Sequence, residues 1–254
     1  IIFAIKSKSA LMTKLSVNIN KIATLRNARG ENLPDLLNSA IDIINFGADG
    51  ITIHPRPDER HIKYSDAIDL GKIITKEFNI EGNPNEKFMK LVSDIKPTQV
   101  TLVPDSIDTL TSNSGWNTKD NFPFLKDVIN ELKSYSIRVS IFVDPNIEMI
   151  EYAKKLSADR IELFTGNYAK QYANDKENAI SKYVECSHYA KKIDIGLNAG
   201  HDLSQENLKY FNDSIKNLLE VSIGHALICE SIYNGLEKTI KSYLDILNNE
   251  NSSF

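Results

Sequence analysis

The sequence predicts a single α/β domain in which eight parallel strands close into a (β/α)₈ TIM barrel. Eight short apolar runs alternate with eight amphipathic stretches, a pattern typical of parallel strands joined by helical crossovers. The 254 residues match the roughly 250 of such a barrel. No linker, repeat or low-complexity block divides residues 1–254, so one domain is expected. The alternative is a doubly wound open sheet, which usually has fewer strands or a GxGxxG turn; the sequence lacks that motif.

The strands are predicted where β-branched and other apolar residues form short runs that end near Gly, Pro, Asn or Asp. These runs are LSVNIN (15–20), GITIHP (50–55), FNIEGN (78–83), QVTLVP (99–104), RVSIFVD (138–144), RIELFTG (160–166), IGLNAG (195–200) and LEVSIGHA (219–226). None of them contains a lysine. A Schiff-base aldolase would need a lysine inside a strand, so this absence disfavours that class.

The helices are predicted where apolar residues recur every three or four positions, the period of a helix with one buried face. These stretches are 34–46, 65–78, 85–95, 124–135, 147–156, 177–193, 204–215 and 228–247. Ser65, Asn85 and Ser204 are expected to cap helix N-termini. Pro34 suits an early helical position.

Composition and charge exclude several classes of protein. Lys plus Arg is 30 and Asp plus Glu is 34, a net charge of −4, which argues against a nucleic-acid binder. No apolar run approaches the roughly 18 residues of a membrane span. Cys186 and Cys229 form no CxxC pair, so neither a disulfide framework nor a thiolate zinc site is expected. With only two cysteines, the protein is expected to be cytoplasmic. Residues 1–11 are interpreted as an extension before a natural start at Met12.

Histidines collect where the predicted strands end. His54, His61, His201 and His225 lie at or just beyond strand ends, and only His188 falls inside a predicted helix. In a barrel these ends share one mouth, which holds the active site. Imidazole suits proton transfer near neutral pH, so acid–base catalysis is predicted. A metal site is the alternative, but no HxH or HExxH spacing supports it.

Two carboxylates are candidates for the same mouth. Glu81 ends the third predicted strand among apolar and small residues, and burial there would raise its pKa towards that of a useful base. The alternative for Glu81 is an ordinary salt bridge to a neighbouring arginine. Glu162 alternates with Ile161 and Leu163 and is expected to point into the barrel, towards a catalytic histidine or towards a basic residue in the barrel core.

Arginines and small-residue turns predict anion binding at the mouth. Guanidinium groups suit phosphate oxygens, and four arginines follow the first two strands: Arg26, Arg29, Arg56 and Arg60. Asp58 and Glu59 lie within the second group, so the alternative is that some arginines only neutralise neighbours. The turns 198–200 and 222–224 resemble the phosphate cradle common after the last two barrel strands.

The loop 105–120 is predicted to be a lid. Loops of this length within a compact domain are often functional; the alternative is a surface insertion. Gly115 is its candidate pivot. Trp116 is expected to pack either against the closed lid or against the barrel rim.

Four segments resemble the pyridoxine 5′-phosphate synthase family: SVNINKIATLRNARG, GADGITIHPRPDERHI, LNAGHDL and SIGHALICESIYNGL. The resemblance runs in order from about Lys14 to about Tyr243. It implies a (β/α)₈ barrel with extra helices, assembled as a homo-octamer. It also implies condensation of 1-deoxy-D-xylulose 5-phosphate with 3-amino-2-oxopropyl phosphate to pyridoxine 5′-phosphate, phosphate and water, without a metal or organic cofactor.

The resemblance also implies residue roles. His54 and Glu81 match proton acceptors, His201 matches the proton donor, and Glu162 matches a residue that stabilises a transition state. Matches to contacts with the deoxyxylulose phosphate are Arg56, His61 and Thr111. Matches to contacts with the amino ketone phosphate are Asn18, Arg29, Gly224 and His225.

Three positions depart from the family pattern. Asn20-Lys21 stands where the family form has Asp-His, and Asp202 stands where it has Gly. Lys21 would add positive charge for a phosphorylated substrate, and the side chain of Asp202 is expected to turn away from phosphate. The alternative function is that of another phosphate-binding barrel, an isomerase or aldolase acting on a phosphorylated sugar. A barrel scaffold without catalysis would leave the convergence of histidines and Glu81 unexplained.

Overall fold

The predicted barrel is confirmed in the computed structural model, which describes residues 12–105, 112 and 114–248. The strands form a closed barrel in the order β1 to β8, and each neighbouring pair is parallel. Pairing of Val17 with Ile223 is part of the β1–β8 register that closes the ring. The proposed extension, residues 1–11, lies outside the described residues.

All eight predicted strands are present, each within two residues of its expected start. They are β1 (Lys14–Asn18), β2 (Gly50–Ile53), β3 (Glu77–Gly82), β4 (Gln99–Leu102), β5 (Arg138–Val143), β6 (Arg160–Leu163), β7 (Gly196–Ala199) and β8 (Leu218–Ile223). The expectation that no strand contains a lysine is wrong, because β1 begins at Lys14. That lysine pairs with Glu77 at the amino end of the barrel, at 3.2 Å, away from the mouth.

Eleven helices accompany the strands within the described residues. They are α1 (Asn20–Asn27), α2 (Leu36–Asn45), α3 (Tyr64–Ile73), α4 (Glu86–Ile95), α5 (Phe122–Ser134), α6 (Ile147–Lys155), α7 (Gly166–Tyr172), α8 (Lys176–Lys192), α9 (Leu208–Ser214), α10 (His225–Asn234) and α11 (Leu236–Asn248). Apolar faces of these helices pack around the barrel to form the main core. None of the helices in the described ranges is long and apolar enough to cross a membrane.

Several helices differ from the sequence prediction. The periodicity did not indicate α1 or α7, which are short and bury few side chains. The predicted helix 228–247 is two helices, because Gly235 has φ +82° and its amide donates to Ser231, which ends α10. A left-handed residue at that position stops a helix and lets the chain change direction.

Of the predicted helix caps, one is confirmed. The Asn85 side chain accepts a hydrogen bond from the Phe88 amide at 3.0 Å. Predictions for the other two caps were wrong, because α3 begins one residue before Ser65 and α9 begins four residues after Ser204. The early helical position predicted for Pro34 was also wrong, because α2 begins after it with Asp35 as its cap. A capping residue satisfies amides of the first turn only, so an error of one turn in a helix start removes the effect.

The amino half of the barrel interior is filled by paired charges. Glu77 binds both Lys14 and Arg138, while Arg160 pairs with Glu220 at 3.2 Å. These partners neutralise one another below the mouth. Because these pairs fill the amino half of the barrel interior, the barrel is open at the carboxyl ends of its strands.

Candidate active site

A cavity of about 650 Å³ lies at the carboxyl ends of the strands, the end where barrel enzymes carry their active sites. Twelve of the fourteen residues predicted for the site line it: Asn18, Asn20, Lys21, His54, Arg56, His61, Glu81, Glu162, His201, Asp202, Gly224 and His225. The convergence of four histidines and two glutamates in one mouth, expected from their strand ends, is therefore observed.

Two predicted residues are not among the lining. Arg29 is exposed beyond the end of α1, and the structure does not bring it to the cavity of this chain. Its proposed contact with the amino ketone phosphate stays a prediction. Thr111 lies outside the described residues.

His54 and Glu81 form a close imidazole–carboxyl pair in the cavity. His54 Nδ1 lies 3.9 Å from Glu81 Oε2, and both side chains are largely buried. Burial, then the charge of Arg56, lowers the pKa of His54 well below its usual value. Burial, then the charge of Asp105, raises the pKa of Glu81 to about 8. The predicted rise for Glu81 is confirmed in direction, and no ion pair to an arginine replaces it among the described residues.

The first strand and first helix hold the loop that carries His54. The Asn20 side chain accepts a hydrogen bond from the His54 amide at 2.9 Å, and the Asn18 side chain accepts one from the Asn20 amide at 3.0 Å. A carboxylate at position 20 could accept the same bond, so Asn20 preserves the positioning without the charge. Lys21 lies beside it on the cavity wall.

His61 is held as a neutral imidazole. Its Nδ1 accepts a hydrogen bond from the Ile62 amide at 3.0 Å, which leaves Nε2 to carry the ring proton. Burial, then the charge of Arg56, lowers the pKa of His61 to about 4. His61 can therefore donate one hydrogen bond from Nε2 at neutral pH.

Glu162 points into the cavity, as the alternation of β6 predicted. Its pKa is raised well above the usual value, first by burial and then by the charge of Glu81. The alternative partner in the barrel core is taken, because Arg160 pairs with Glu220 instead. Because burial and the charge of the other carboxyl group disfavour ionisation of Glu162, and burial disfavours that of Glu81, we expect at least one of them to hold a proton at neutral pH.

His201 stands on an aromatic support at the end of β7. The Phe164 ring lies 5.2 Å from the imidazole and the Phe142 ring 6.5 Å, measured between centroids. Its Nε2 is 3.7 Å from Asp202 Oδ2. Burial lowers the pKa of His201, and the carboxylate of Asp202 opposes that change.

Asp202 has the backbone conformation of a glycine. Its φ is +63°, in the left-handed region where Gly is favoured and Asp is tolerated. That geometry accounts for the Gly of the family form at this position. The Asp202 side chain turns towards His201, so its carboxylate can act on the imidazole.

The turns after β7 and β8 pack closely against their neighbours and line one wall of the cavity. A Cβ on Gly200 would lie 2.1 Å from the Ser222 carbonyl oxygen, and one on Gly224 would lie 3.0 Å from Asn18 Cβ. Gly224 precedes α10, which begins at His225, so the positive end of a ten-residue helix faces the cavity. Lys21 and Arg60 add positive charge to the lining.

Among the residues of the cavity region that sequence reasoning missed are Thr24, Ser112, Phe142 and Asp105. The first three line the cavity, and Asp105 forms a buried ion pair with Arg56. A signal for Asp105 existed, since it follows the fourth strand in the same place where other strands carry candidate groups. The sequence pattern marks it only as the first residue of the predicted lid.

The described part of the predicted lid packs on the barrel. The Trp116 amide donates to the Phe142 carbonyl at 2.8 Å, and the Trp116 side chain is buried. A Cβ on Gly115 would lie 2.3 Å from Val143 Cα, so Gly115 is needed for close approach. Its role as a pivot stays a prediction, and Trp116 packs on the barrel rim.

The fold and the cavity together define a TIM-barrel protein whose mouth brings histidines, carboxyl groups and basic side chains into one cavity. A family model described as pyridoxal phosphate biosynthesis protein PdxJ matches residues 15–249. The pyridoxine 5′-phosphate synthase of Cytophaga hutchinsonii is 59% identical over 233 residues, which cover 92% of this chain and 98% of the relative. That of Parabacteroides distasonis is 56% identical over 237 residues, which cover 93% and 100%. The chain belongs to the pyridoxine 5′-phosphate synthase family and is an enzyme of vitamin B6 biosynthesis.

More distant solved structures share the fold alone. A tryptophan synthase chain of Mycobacterium tuberculosis superposes with a TM-score of 0.65 at 11% identity, covering 94% of this chain and 93% of that one. The phosphoribosyl anthranilate isomerase of Thermotoga maritima has a TM-score of 0.58 at 14% identity, covering 93% and 98%.

Proposed function

We propose that this cavity condenses 1-deoxy-D-xylulose 5-phosphate with 3-amino-2-oxopropyl phosphate, giving pyridoxine 5′-phosphate, phosphate and water. The observation that carries the proposal is the meeting of His54, Glu81, Glu162 and His201 with a cationic wall in one cavity. Joining an amine to a ketone, enolising the product, expelling phosphate and closing the ring each move protons. Such a sequence needs several acids and bases in one site.

His54 and Glu81 are the proposed proton acceptors. A neutral imidazole accepts a proton directly, and the lowered pKa of His54 keeps its ring neutral at physiological pH. Glu81, with a pKa of about 8, exchanges its proton near neutral pH and is a stronger base than an ordinary carboxylate once it has lost that proton. Their 3.9 Å separation allows both to reach the same region of substrate.

His201 and Glu162 are proposed to act on the developing product. His201 can donate a ring proton to a leaving oxygen, and the neighbouring Asp202 carboxylate favours the protonated ring. When ionised, Glu162 is proposed to stabilise positive charge at the nitrogen that comes from the amino ketone. When protonated, it is proposed to donate a hydrogen bond.

Two phosphate sites are proposed in the one mouth. Arg56, His61 and Thr111 would hold the deoxyxylulose phosphate. Asn18, Arg29 and the Gly224-His225 turn would hold the amino ketone phosphate, with backbone contact at Asp202 and added charge from Lys21. Asn20 would keep its positioning of His54.

We also propose a cytoplasmic homo-octamer without a metal or organic cofactor. Support for assembly comes from apolar side chains left exposed on a single chain: Leu33 is 70% exposed, Ile232 74% and Tyr233 90%. Both cysteines are free, as in a reducing compartment.

The decisive experiment mixes purified protein with both phosphorylated substrates and follows the absorbance of pyridoxine phosphate. Omitting either substrate should abolish the signal. An isomerase would turn over a single phosphorylated sugar, and a Schiff-base aldolase would leave a borohydride-trapped adduct on a lysine such as Lys21. Either result without pyridoxine phosphate would contradict the proposal.

A further inference from the structure

Asp105 forms a buried ion pair directly behind the cavity wall. Its Oδ2 accepts hydrogen bonds from Arg56 Nη2 and from Ser112 Oγ, both at 2.6 Å. The Arg56 and Asp105 side chains are only 5% and 4% exposed. Arg56 and Ser112 line the cavity, so the carboxylate of Asp105 is one side chain away from bound substrate.

A guanidinium that is already paired with a carboxylate binds phosphate less strongly than an unpaired one, because the two anions compete for the same charge. We propose that Asp105 is a positioning residue that serves as the resident counter-ion of Arg56 and is displaced from it by the substrate's phosphate. This inference rests on the proposed function, which assigns Arg56 to the deoxyxylulose phosphate.

Displacement of Asp105 from Arg56 by phosphate suits a site that must both bind and release anions. Without Asp105, the buried Arg56 would lose the carboxylate that it contacts at 2.6 Å, and it would hold an incoming anion more strongly. With Asp105 present, part of the binding energy of phosphate is offset by the loss of the 2.6 Å pair. Asp105 therefore orients Arg56 in the free enzyme and lets phosphate leave after the reaction.

The same carboxylate acts on Glu81 through space. Its charge is the largest cause, after burial, of the raised pKa of Glu81. The other charged or titratable groups that face Glu81 come from the strands around it: His54 and Arg56 after β2, Glu162 on β6 and Glu220 on β8. Removing the charge at position 105 should therefore lower the pKa of Glu81 while the other neighbours stay in place.

The main test measures inorganic phosphate binding by calorimetry in Asp105→Asn and in the wild type. The neutral side chain should tighten phosphate binding by roughly tenfold, the order expected for one close charge pair. In an Arg56→Gln background the same substitution should leave phosphate affinity unchanged. Asp105→Glu, which keeps the charge, should restore affinity close to the wild-type value.

Asp66→Asn is the matched control. Asp66 binds Arg26 at 2.7 Å with the two side chains 14% and 7% exposed, and neither residue lines the cavity. This variant should lose thermal stability as Asp105→Asn does, with unchanged phosphate affinity. A purely structural role for Asp105 predicts the same behaviour for both variants.

Two further readouts separate the inference from the proposed function. Glu81, with a pKa of about 8, should give the kcat/KM profile a limb near that pH, and in Asp105→Asn this limb should shift to lower pH. If Asp105→Asn does not fold, a crystal structure of the wild type with inorganic phosphate decides: phosphate should contact Arg56 and the Arg56–Asp105 distance should exceed hydrogen-bond range.

Equal or weaker phosphate binding in folded Asp105→Asn, or phosphate bound with the pair intact, would overturn the inference even if pyridoxine phosphate is made. Absence of pyridoxine phosphate in the wild type would instead contradict the proposed function, and the phosphate measurements would still stand.

Discussion

Burial and neighbouring charges set the protonation of the cavity side chains in opposite directions. His54 and His61 are held neutral, because burial and Arg56 lower both pKa values. Glu81 and Glu162 are pushed towards their protonated forms, because burial raises both pKa values. At neutral pH the site therefore offers neutral bases and neutral acids side by side, which suits a reaction with several proton transfers.

The first prediction concerns the three proposed proton-transfer residues. His54→Asn, Glu81→Gln and His201→Asn should each lower kcat by roughly 10² to 10⁴, the usual effect of removing a general acid or base. Turnover at saturating substrate measures this. His188→Asn is the matched control, since His188 is exposed on α8 and its loss should leave kcat unchanged. If two of the three cavity variants stay within a few-fold of the wild type, the assignment is wrong.

The second prediction is the pH dependence that Glu81 produces. A carboxyl group with a pKa of about 8 is protonated below that pH, so a proton acceptor at this position becomes active as the pH rises. The kcat/KM profile should therefore rise through a limb near pH 8. Glu81→Gln should remove this limb from whatever activity remains, and a profile with the same limb in the variant would assign it to another group.

The third prediction concerns stability at acid pH. The folded pKa of His61, about 4, lies below its ordinary value of about 6.5, so the fold favours the neutral ring. The resulting stability is complete above about pH 6.5 and is lost as the pH falls towards 4. Denaturant unfolding of the wild type and of His61→Asn at pH 7 and pH 4 should show the acid loss of unfolding free energy reduced by about 3 kcal/mol in the variant. An equal loss in both proteins would exclude His61 as the cause.

At the scale of elements, the cavity depends on close approaches between strand ends. β7 and β8 come together at Gly200, where any side chain would meet the Ser222 carbonyl. Gly200 directly precedes His201, the proposed acid, and Ser222 lies two residues before Gly224, in the turn proposed to bind phosphate. If the backbones at Gly200 and Ser222 moved apart, both His201 and this turn would therefore be displaced.

The fourth prediction tests this approach. Gly200→Ala should destabilise the protein by roughly 1–3 kcal/mol, because backbone must move to accommodate the methyl group, and should lower kcat/KM at least tenfold. Chemical denaturation and steady-state kinetics measure the two effects. Gly235→Ala is the control: a Cβ there meets nothing within 4 Å, although φ is +82°, so it should lose about 1 kcal/mol with kcat/KM unchanged. Equal kinetic effects in both variants would count against a local role for Gly200.

Elements also show where sequence patterns stop being informative. Long amphipathic helices such as α4 and α8 were predicted nearly to their ends, because each buries a continuous apolar face. Short α1 and α7 bury little, so their periodicity is weak, and their formation depends on contacts with the strand ends that precede them. The single predicted helix 228–247 is two helices because Gly235 adopts a positive φ. A glycine does not interrupt an amphipathic sequence pattern, so the pattern did not indicate this break.

At the scale of the whole molecule, a single chain leaves large apolar side chains in solvent. Tyr233 and Ile232 lie together at the end of α10 and are mostly exposed. Exposed apolar groups that adjoin one another are typical of surfaces that pair with another chain, in keeping with the proposed assembly.

The fifth prediction is the mass of that assembly. Light scattering after size-exclusion chromatography should give about eight times the 28.6 kDa of one chain. Tyr233→Ser combined with Ile232→Ser should shift the mass towards smaller species, because burial of these side chains would no longer favour association. An octameric mass retained by the double variant would place the interface elsewhere, and a monomeric wild type would contradict the octamer itself.

The sequence by itself determined the barrel and the end of it that carries the chemistry. Short apolar runs alternate with helices of a 3.6-residue period, and right-handed crossovers then bring every strand's carboxyl end to one mouth. His54, Glu81, Glu162 and His201 could be assigned to that mouth because each lies in a strand or just after one.

Only the tertiary structure decided which of those groups act on one another. The pairing of Arg56 with Asp105 joins residues 49 positions apart, and the exclusion of Arg29 from the cavity of its own chain depends on where α1 ends. The pKa shift of Glu81 arises from burial and from charges on or just after other strands. That of His61 arises from burial and from charges on its own loop and on α1. Charge interactions and desolvation depend on distances through space, and spacing along the chain does not specify these until the barrel has closed.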